Sequence, residues 1–125
     1  MTSHSDQLRE FHETFGHPAP DSPTLLDEAT AILRWDLFWE EYEEYLYAEQ
    51  EGNIIEIADA LGDMAYILFG TATVHGIDLS PVFDEIHRSN MSKLGADGKP
   101  IYREDGKVLK GPNYFPPNIE GVLFG

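Results

Sequence analysis

Residues 54–74 read IIEIADALGDMAYILFGTATV, an apolar segment in which the charged side chains are Glu56, Asp59 and Asp63. The pattern predicts one helix over about 53–75. At about 100° per residue, Glu56 and Asp63 lie about 20° apart around this helix, and Asp59 and Asp63 about 40° apart. The carboxylates therefore share one face of a helix that is otherwise apolar nearly all round, which predicts burial against neighbouring elements. Ionised carboxylates in such surroundings are costly unless a positive charge meets them.

A long helix over about 24–50 precedes this segment and carries a second acidic group. Its apolar stripe consists of Leu26, Leu33 and Leu37. Continuing the stripe by three and four residues reaches Glu40, Glu41 and Glu44. A solvated face would place these carboxylates opposite the leucines, so they occupy positions that the pattern reserves for the core. Glu43 falls off the stripe and is interpreted as an ordinary surface charge.

The remaining pattern predicts an all-α fold with four helices. The first covers Ser5–Phe15 with Ser5 or Asp6 as its cap, the second begins at Thr24 or Asp27 and ends near Gln50, and the fourth begins at Ser80-Pro81 and ends at Lys93 or Leu94. After Gly95 the helical period disappears, Glu104-Asp105-Gly106 favours a small β-hairpin, and prolines keep the tail extended or looped. We predict one domain over residues 1–125, with a helical core at about 5–94 and an irregular basic extension at 95–125.

The charge of the chain excludes some partners and favours others. The 125 residues carry 23 acidic and 8 basic side chains, a net charge of −15, and residues 1–85 hold 19 of the acids but only Arg9 and Arg34 as bases. A field this negative repels DNA and RNA and attracts cations. Clustered carboxylates without cysteine or histidine suit Mg²⁺, or Mn²⁺ as an alternative. The alternative reading is that Glu56 caps the helix dipole while Asp59 and Asp63 bond to hydroxyls or waters.

Other features limit the class of protein. The chain has no cysteine, which excludes disulfide scaffolds, thiolate zinc sites and cysteine nucleophiles. The longest uncharged run, residues 64–77, is too short to span a bilayer, and the first residues show no secretory signal. We therefore expect a cytoplasmic protein that contacts neither membrane nor nucleic acid polymer.

Two motifs resemble those of a known family. Glu41-Tyr-Glu-Glu44 followed by Glu56-Ile-Ala-Asp59-Ala-Leu-Gly-Asp63 resembles the paired acidic motif of the all-α nucleoside triphosphate pyrophosphatases. These MazG-like proteins include phosphoribosyl-ATP pyrophosphohydrolase and the dimeric all-α dUTPases. His87-Arg-Ser-Asn90-Met-Ser-Lys93 and Lys107-Val-Leu-Lys110 resemble the short bacterial and phage branch, so the resemblance spans nearly the whole chain. It implies a MazG-like helical bundle.

The resemblance implies roles for individual residues. Glu41, Glu44 and Asp63 match the family's metal-binding positions, and Glu40 matches an additional Glu that orients or deprotonates the attacking water. Most relatives carry Glu-x-x-Asp directly before the apolar run that begins here at Met64, but this chain has Ala60 where that Glu would stand. Glu56 or Asp59 must then supply the missing carboxylate, and both remain candidates. The candidates for substrate binding are Asn90, Lys93, Arg103 and Lys110.

The expected reaction is Mg²⁺-dependent hydrolysis of a (deoxy)nucleoside triphosphate to the monophosphate and pyrophosphate. One alternative is a phosphoribosyl-ATP pyrophosphohydrolase with the same metal chemistry. Another is a non-catalytic helical interaction module whose acids bind divalent ions. Trp35 and Trp39 add to helices that are apolar on more than one face. Together with the resemblance, they lead us to expect a homodimer or a dimer of dimers.

Overall fold

The computed structural model describes residues 3–125, and within this range it is all-helical. The helices are α1 (His4–Phe15), α2 (Glu28–Glu51), α3 (Ile54–Val74), α4 (Leu79–Met91) and α5 (Ile119–Phe124). The predicted all-α class is confirmed, and α5 is an element that the sequence pattern did not predict. The chain divides into two compact units, the first ending at Asp78 and the second covering Leu79–Gly125. The prediction of one domain over the whole chain stays a prediction.

The first unit is built around α3, against which both α1 and α2 pack. Its buried apolar side chains are mostly small: Leu8, Ala48, Ala60, Ala72 and Val74. Alanines at a helix contact leave few atoms between the two axes, so the backbones can approach closely. No helix among the described residues is both long and apolar enough to cross a membrane.

Several apolar side chains of α3 are open to solvent. Ile54 and Ile55 are 74% and 76% exposed, and Leu61 and Leu68 are also exposed. The prediction that α3 would be buried nearly all round is therefore wrong for the single chain. Two packed helices cover only part of the circumference of a third, and the apolar residues on the rest of α3 stay in contact with solvent.

The helix ends of the first unit are fixed by side-chain caps. Ser3 caps α1, because its hydroxyl accepts a bond from the Asp6 N–H while the Asp6 carboxylate accepts one from the Ser3 N–H. The predicted cap at Ser5 or Asp6 is wrong, since this reciprocal pair starts the helix one residue earlier. Asp27 caps α2, as one of the two predicted alternatives, and Asn53 caps α3.

The segment between α1 and α2 is tied to the end of α3. The N–H of Thr24 donates to the carbonyl of His75 at 2.8 Å, and the His75 ring nitrogen Nδ1 bonds to the Thr24 carbonyl at 2.8 Å. Gly76 follows with a φ of +67°, and a Cβ placed on it would lie 2.1 Å from the Ser22 carbonyl oxygen. Glycine is therefore required at position 76 by its backbone conformation and by the close approach of the loop.

The second unit consists of α4, an irregular segment and the tail that ends in α5. Its first helix begins at Leu79 and ends at Met91, slightly earlier at both ends than predicted. The predicted hairpin is reduced to one isolated antiparallel bridge between Tyr102 and Val108. Residues 3–125 contain no β-strand beyond this bridge.

The tail of this unit is hydrogen-bonded to α4 and to Ser92 just beyond its end. Ser89 donates from its hydroxyl to the Phe115 carbonyl, the Phe115 N–H donates to the Ser92 hydroxyl, and the Asn118 N–H donates to the Glu85 carboxylate at 2.7 Å. The Arg88 guanidinium donates twice to Glu85 and lies 4.4 Å from the centre of the Phe115 ring. These bonds hold the proline-rich tail in one place although it has little regular structure.

We predict that Gly76→Ala lowers the free energy of unfolding by more than about 2 kcal/mol, because the new methyl group meets a backbone carbonyl and the left-handed conformation is strained. Gly16→Ala is the matched control, since Gly16 has a φ of +74° but no atom within 4 Å of the new Cβ. Its expected loss is about 1 kcal/mol, from backbone strain alone. Urea unfolding measures both values, and equal losses would contradict the proposed role of the close approach.

Candidate metal centre

A two-residue turn folds α2 back along α3 and brings their acidic residues together. Gly52 takes a left-handed conformation with a φ of +66°, and Asn53 then starts α3. As a result Glu41 and Glu44 of α2 face Asp63 of α3. One carboxylate oxygen from each of the three lies within 4.8 Å of the others. The residues predicted from the apolar stripes thus include three that the structure gathers into one acidic cluster, defined here as Glu41, Glu44 and Asp63.

Glu41 is the member of the acidic cluster whose carboxylate loses hydration and has an oxygen without a hydrogen-bond partner. Its side chain is half-buried, and its Oε2 atom is buried without a hydrogen-bond partner. Loss of hydration raises the pKa of Glu41. The negative charges of Glu44, Asp63 and Glu40, together with a hydrogen bond between the Glu41 and Glu44 side chains, raise it further. An orphaned, desolvated carboxylate oxygen among like charges is a position that a cation would stabilise.

Protein side chains do not provide that cation in the first unit. Arg9 pairs with Glu13 and Asp21, and Arg34 donates to Ile67 and Thr71. Among residues 3–125, no basic side chain lies within ion-pair distance of the acidic cluster. Three clustered carboxylates with an unpartnered buried oxygen fit a hard divalent cation such as Mg²⁺, which takes oxygen ligands and keeps part of its water shell.

The structure places Glu56 and Asp59 outside the acidic cluster. Both are exposed on α3, and Glu56 lines a groove near the α2–α3 turn together with Glu44, Tyr47 and Glu51. Ala60 is only 3% exposed, so the position that lacks the family's Glu faces the interior of the unit. Glu40 is exposed beside Glu41, close enough to affect its pKa.

The four predicted substrate-binding residues belong to the second unit. Asn90 is exposed on α4, and Lys93 is half-buried just beyond its end. Arg103 donates to both carboxylate oxygens of Asp105, and the Lys110 ammonium lies 4.7 Å from the centre of the Tyr114 ring. Arg103 and Lys110 thus have partners inside the unit, and the predicted contacts with substrate stay predictions.

Arg34 has a structural role that the sequence pattern did not predict, since its guanidinium lies between α2 and α3. Its hydrogen bonds to Ile67 and Thr71 link residues more than thirty positions apart in the chain. The available signal was the rarity of the residue, since Arg9 and Arg34 are the two basic residues before position 86. A cation that is rare in an acidic unit and lies on the core side of a helix is expected to have a specific partner.

An antiparallel pair of helices with a carboxylate cluster between them defines the class as an all-α protein with a candidate divalent-metal centre. The sequence matches the family model for phosphoribosyl-ATP pyrophosphohydrolase over residues 8–90, which includes every residue of the acidic cluster. The chain belongs to this family, as the resemblance predicted.

Two individual proteins are also similar to this chain. An uncharacterised protein of Acanthamoeba polyphaga mimivirus is 35% identical over 117 residues, which is 90% of this chain but 43% of the viral protein. The chain therefore spans less than half the length of that relative. A crystal structure of a candidate NTP pyrophosphohydrolase from Exiguobacterium sp. 255-15 is 26% identical, with 96% of this chain and 92% of that chain covered and a TM-score of 0.49.

We predict that Glu41→Gln stabilises the metal-free protein at neutral pH by about 1 kcal/mol, because it removes a desolvated charge from among like charges. A raised pKa in the folded state means that ionised Glu41 costs stability, and that the cost disappears as the pH falls through the raised pKa towards the ordinary value of 4.5. The difference between variant and wild type should therefore vanish below about pH 4.5.

Unfolding curves measured in a chelator from pH 7 to pH 4 check this prediction. Glu43→Gln is the control, because it removes the same charge from the same helix outside the acidic cluster. Equal gains in stability for both variants would contradict the assignment of the cost to the ionised Glu41 carboxylate. A gain of Glu41→Gln that persists at pH 4 would contradict it as well.

Proposed function

We propose that this protein is a Mg²⁺-dependent nucleotide pyrophosphohydrolase that cleaves a (deoxy)nucleoside triphosphate to its monophosphate and pyrophosphate. The observation that carries the proposal is the buried, unpartnered Oε2 of Glu41 beside Glu44 and Asp63. The family to which the chain belongs supports the same chemistry, since its name describes hydrolysis of a nucleotide with release of pyrophosphate.

In this proposal Glu41, Glu44 and Asp63 hold the metal, which neutralises phosphate oxygens and lowers the pKa of a bound water when present. Glu40 is exposed beside Glu41 and accepts a proton from the attacking water. The water oxygen forms a bond to the attacked phosphorus of the triphosphate. The bond between that phosphorus and the bridging oxygen breaks at the same time, which separates the monophosphate from pyrophosphate. Fixed carboxylates contribute chiefly by positioning, since the helices hold them together before the substrate arrives.

Positive and donor groups are also required for the phosphates. We propose Asn90 and Lys93 for this role, because Asn90 is exposed and Lys93 has no ion-pair partner among the described residues. Arg103 and Lys110 are weaker candidates, since each must leave a partner within its own unit before it can bind an anion.

The activity prediction concerns a panel of nucleotides that includes the common ribo- and deoxyribonucleoside triphosphates and phosphoribosyl-ATP. We expect Mg²⁺-dependent release of pyrophosphate from at least one of them. Asp63→Asn should lower kcat at least about a hundredfold, because it removes a charged metal ligand. Asp36→Asn, an exposed change on α2, is the control and should retain wild-type activity.

Each outcome of the panel has a distinct meaning. Turnover of phosphoribosyl-ATP alone would identify the more specific activity, and Mg²⁺ binding without any turnover would favour the non-catalytic module. Normal activity in Asp63→Asn would reject the metal assignment. Glu56→Gln and Asp59→Asn in the same assay show which residue, if either, replaces the Glu that is absent at position 60.

We also propose that the chain forms a homodimer or a dimer of dimers. Trp35 and Trp39 are 60% and 59% exposed, and Ile54 and Ile55 are 74% and 76% exposed. Large apolar side chains this exposed are candidates for burial between chains. Light scattering at micromolar concentration should give a mass of at least twice 14.1 kDa. A mass of one chain would contradict this prediction, and Trp35→Glu should shift the assembly towards the monomer.

A further inference from the structure

Arg34 has an unusual environment for a charged residue in this chain. Residues 3–78 contain seventeen acidic and two basic side chains, yet Arg34 forms no ion pair with any described carboxylate. It is half-buried and donates from Nη2 to the Ile67 carbonyl at 2.9 Å and from Nε to the Thr71 hydroxyl at 3.1 Å. Both partners lie on α3, so this cation joins the two helices that carry the acidic cluster.

The guanidinium reaches its partners because α3 has no side chain in its path. A Cβ placed on Gly70 would lie 2.6 Å from Nη2 of Arg34 and 3.3 Å from Nε2 of the buried His12. Gly70 is in the middle of a helix without a positive φ, where alanine would be the better helix former. The use of glycine at this position is therefore explained by the room that it gives to Arg34 and His12.

The contact of Arg34 with α3 and the acidic cluster are related by the register of the two helices. Arg34 lies against Gly70, and Glu41 lies against Asp63. The two pairs are seven residues apart on α2 and seven residues apart on α3, which is two helical turns or about 10 Å along each axis. A shift of α2 along α3 that broke the hydrogen bonds of Arg34 would therefore move Glu41 and Glu44 relative to Asp63 by the same amount.

Apolar contacts alone specify this register weakly. Ala48 and Ala60 are the buried apolar residues of α2 and α3 nearest in sequence to the acidic cluster, and their short side chains form shallow ridges that interdigitate little. Mutual repulsion among Glu41, Glu44 and Asp63 favours any movement that separates them. A single polar contact with defined partners is a known means of fixing the register of packed helices.

We infer that Arg34 is a positioning residue that locks the register of α2 against α3 and thereby holds the acidic cluster in a metal-binding arrangement. The register itself is a property of the metal-free chain, whereas the consequence for metal binding rests on the proposed function. Arg34 acts through backbone and hydroxyl groups of α3 and touches neither metal nor substrate.

The test compares Arg34→Met and Gly70→Ala with the control Gly62→Ala. The Gly70 change displaces the guanidinium while keeping it in the chain, and Gly62 lies on the same helix with no atom within 4 Å of a new Cβ. Because the chain has no cysteine, spin labels can be placed on α2 and α3 through Asp36→Cys and Ala58→Cys, both at exposed positions. Dilution with unlabelled protein restricts the measured distances to one chain.

In the metal-free state we expect Arg34→Met and Gly70→Ala to shift or broaden the distance between the labels, and Gly62→Ala to leave it unchanged. Calorimetric titration with MgCl₂ alone should show that Arg34→Met and Gly70→Ala bind Mg²⁺ at least about tenfold more weakly than the wild type. Gly62→Ala should bind Mg²⁺ with wild-type affinity. Arg34→Lys, which can donate to the Ile67 carbonyl with fewer donors, should restore part of the affinity.

The inference is overturned if Arg34→Met and Gly70→Ala fold with the native distance, or if Gly62→Ala changes the distance as much as they do. If Arg34→Met does not fold, Gly70→Ala decides, since alanine favours the helix. Failure of the proposed function is distinguished by wild-type protein that neither binds Mg²⁺ nor hydrolyses nucleotides. In that case the distances in the metal-free state still decide whether Arg34 sets the register.

Discussion

Like charges held close together between α2 and α3 are the constraint on which the first unit depends. Glu41, Glu44 and Asp63 repel one another, and one oxygen of Glu41 is buried without a partner. The rest of the unit offsets this cost with interactions that do not involve the cluster, such as the reciprocal Ser3–Asp6 cap and the packing of Leu8 on α3. A divalent cation would reverse the sign of the local electrostatics, so stability of the unit should rise with metal concentration.

Much of this arrangement follows from local sequence signals. Asp27 and Asn53 are strong capping residues directly before helical patterns, and the ends of α2 and α3 lie within a residue or two of the predicted positions. The position of carboxylates on the apolar faces of α2 and α3 predicted a set of six residues, and the resemblance to the family then singled out Glu41, Glu44 and Asp63 within it. Helical periodicity reports which residues share a face, and that is the information needed to bring three side chains towards one another.

The features that sequence did not predict depend on relations between elements. Periodicity places Glu56 and Asp59 on the same face of α3 as Asp63. Which residues of that face lie opposite Glu41 and Glu44 depends on the register of the two helices, and in the structure Glu56 and Asp59 lie outside the acidic cluster. The exposure of Ile54 and Ile55 depends on how many helices pack on α3. Helix α5 is only six residues long, too short for a periodic pattern, and is stabilised by the docking of its preceding segment on α4.

The attachment of the tail through Glu85 has a consequence for how the protein responds to acid. Its bonds to Arg88 and to the Asn118 N–H lower the pKa of Glu85 to about 2, so this contact contributes stability above pH 4.5 and loses it only as the pH falls towards 2. The acidic cluster behaves in the opposite sense, since protonation of Glu41 relieves its repulsion. Mild acid should therefore relieve the repulsion within the metal-free acidic cluster while beginning to weaken the attachment of the tail in the second unit. The two contacts therefore respond to acid with opposite signs, and the pH dependence of the stability of the whole chain contains both contributions.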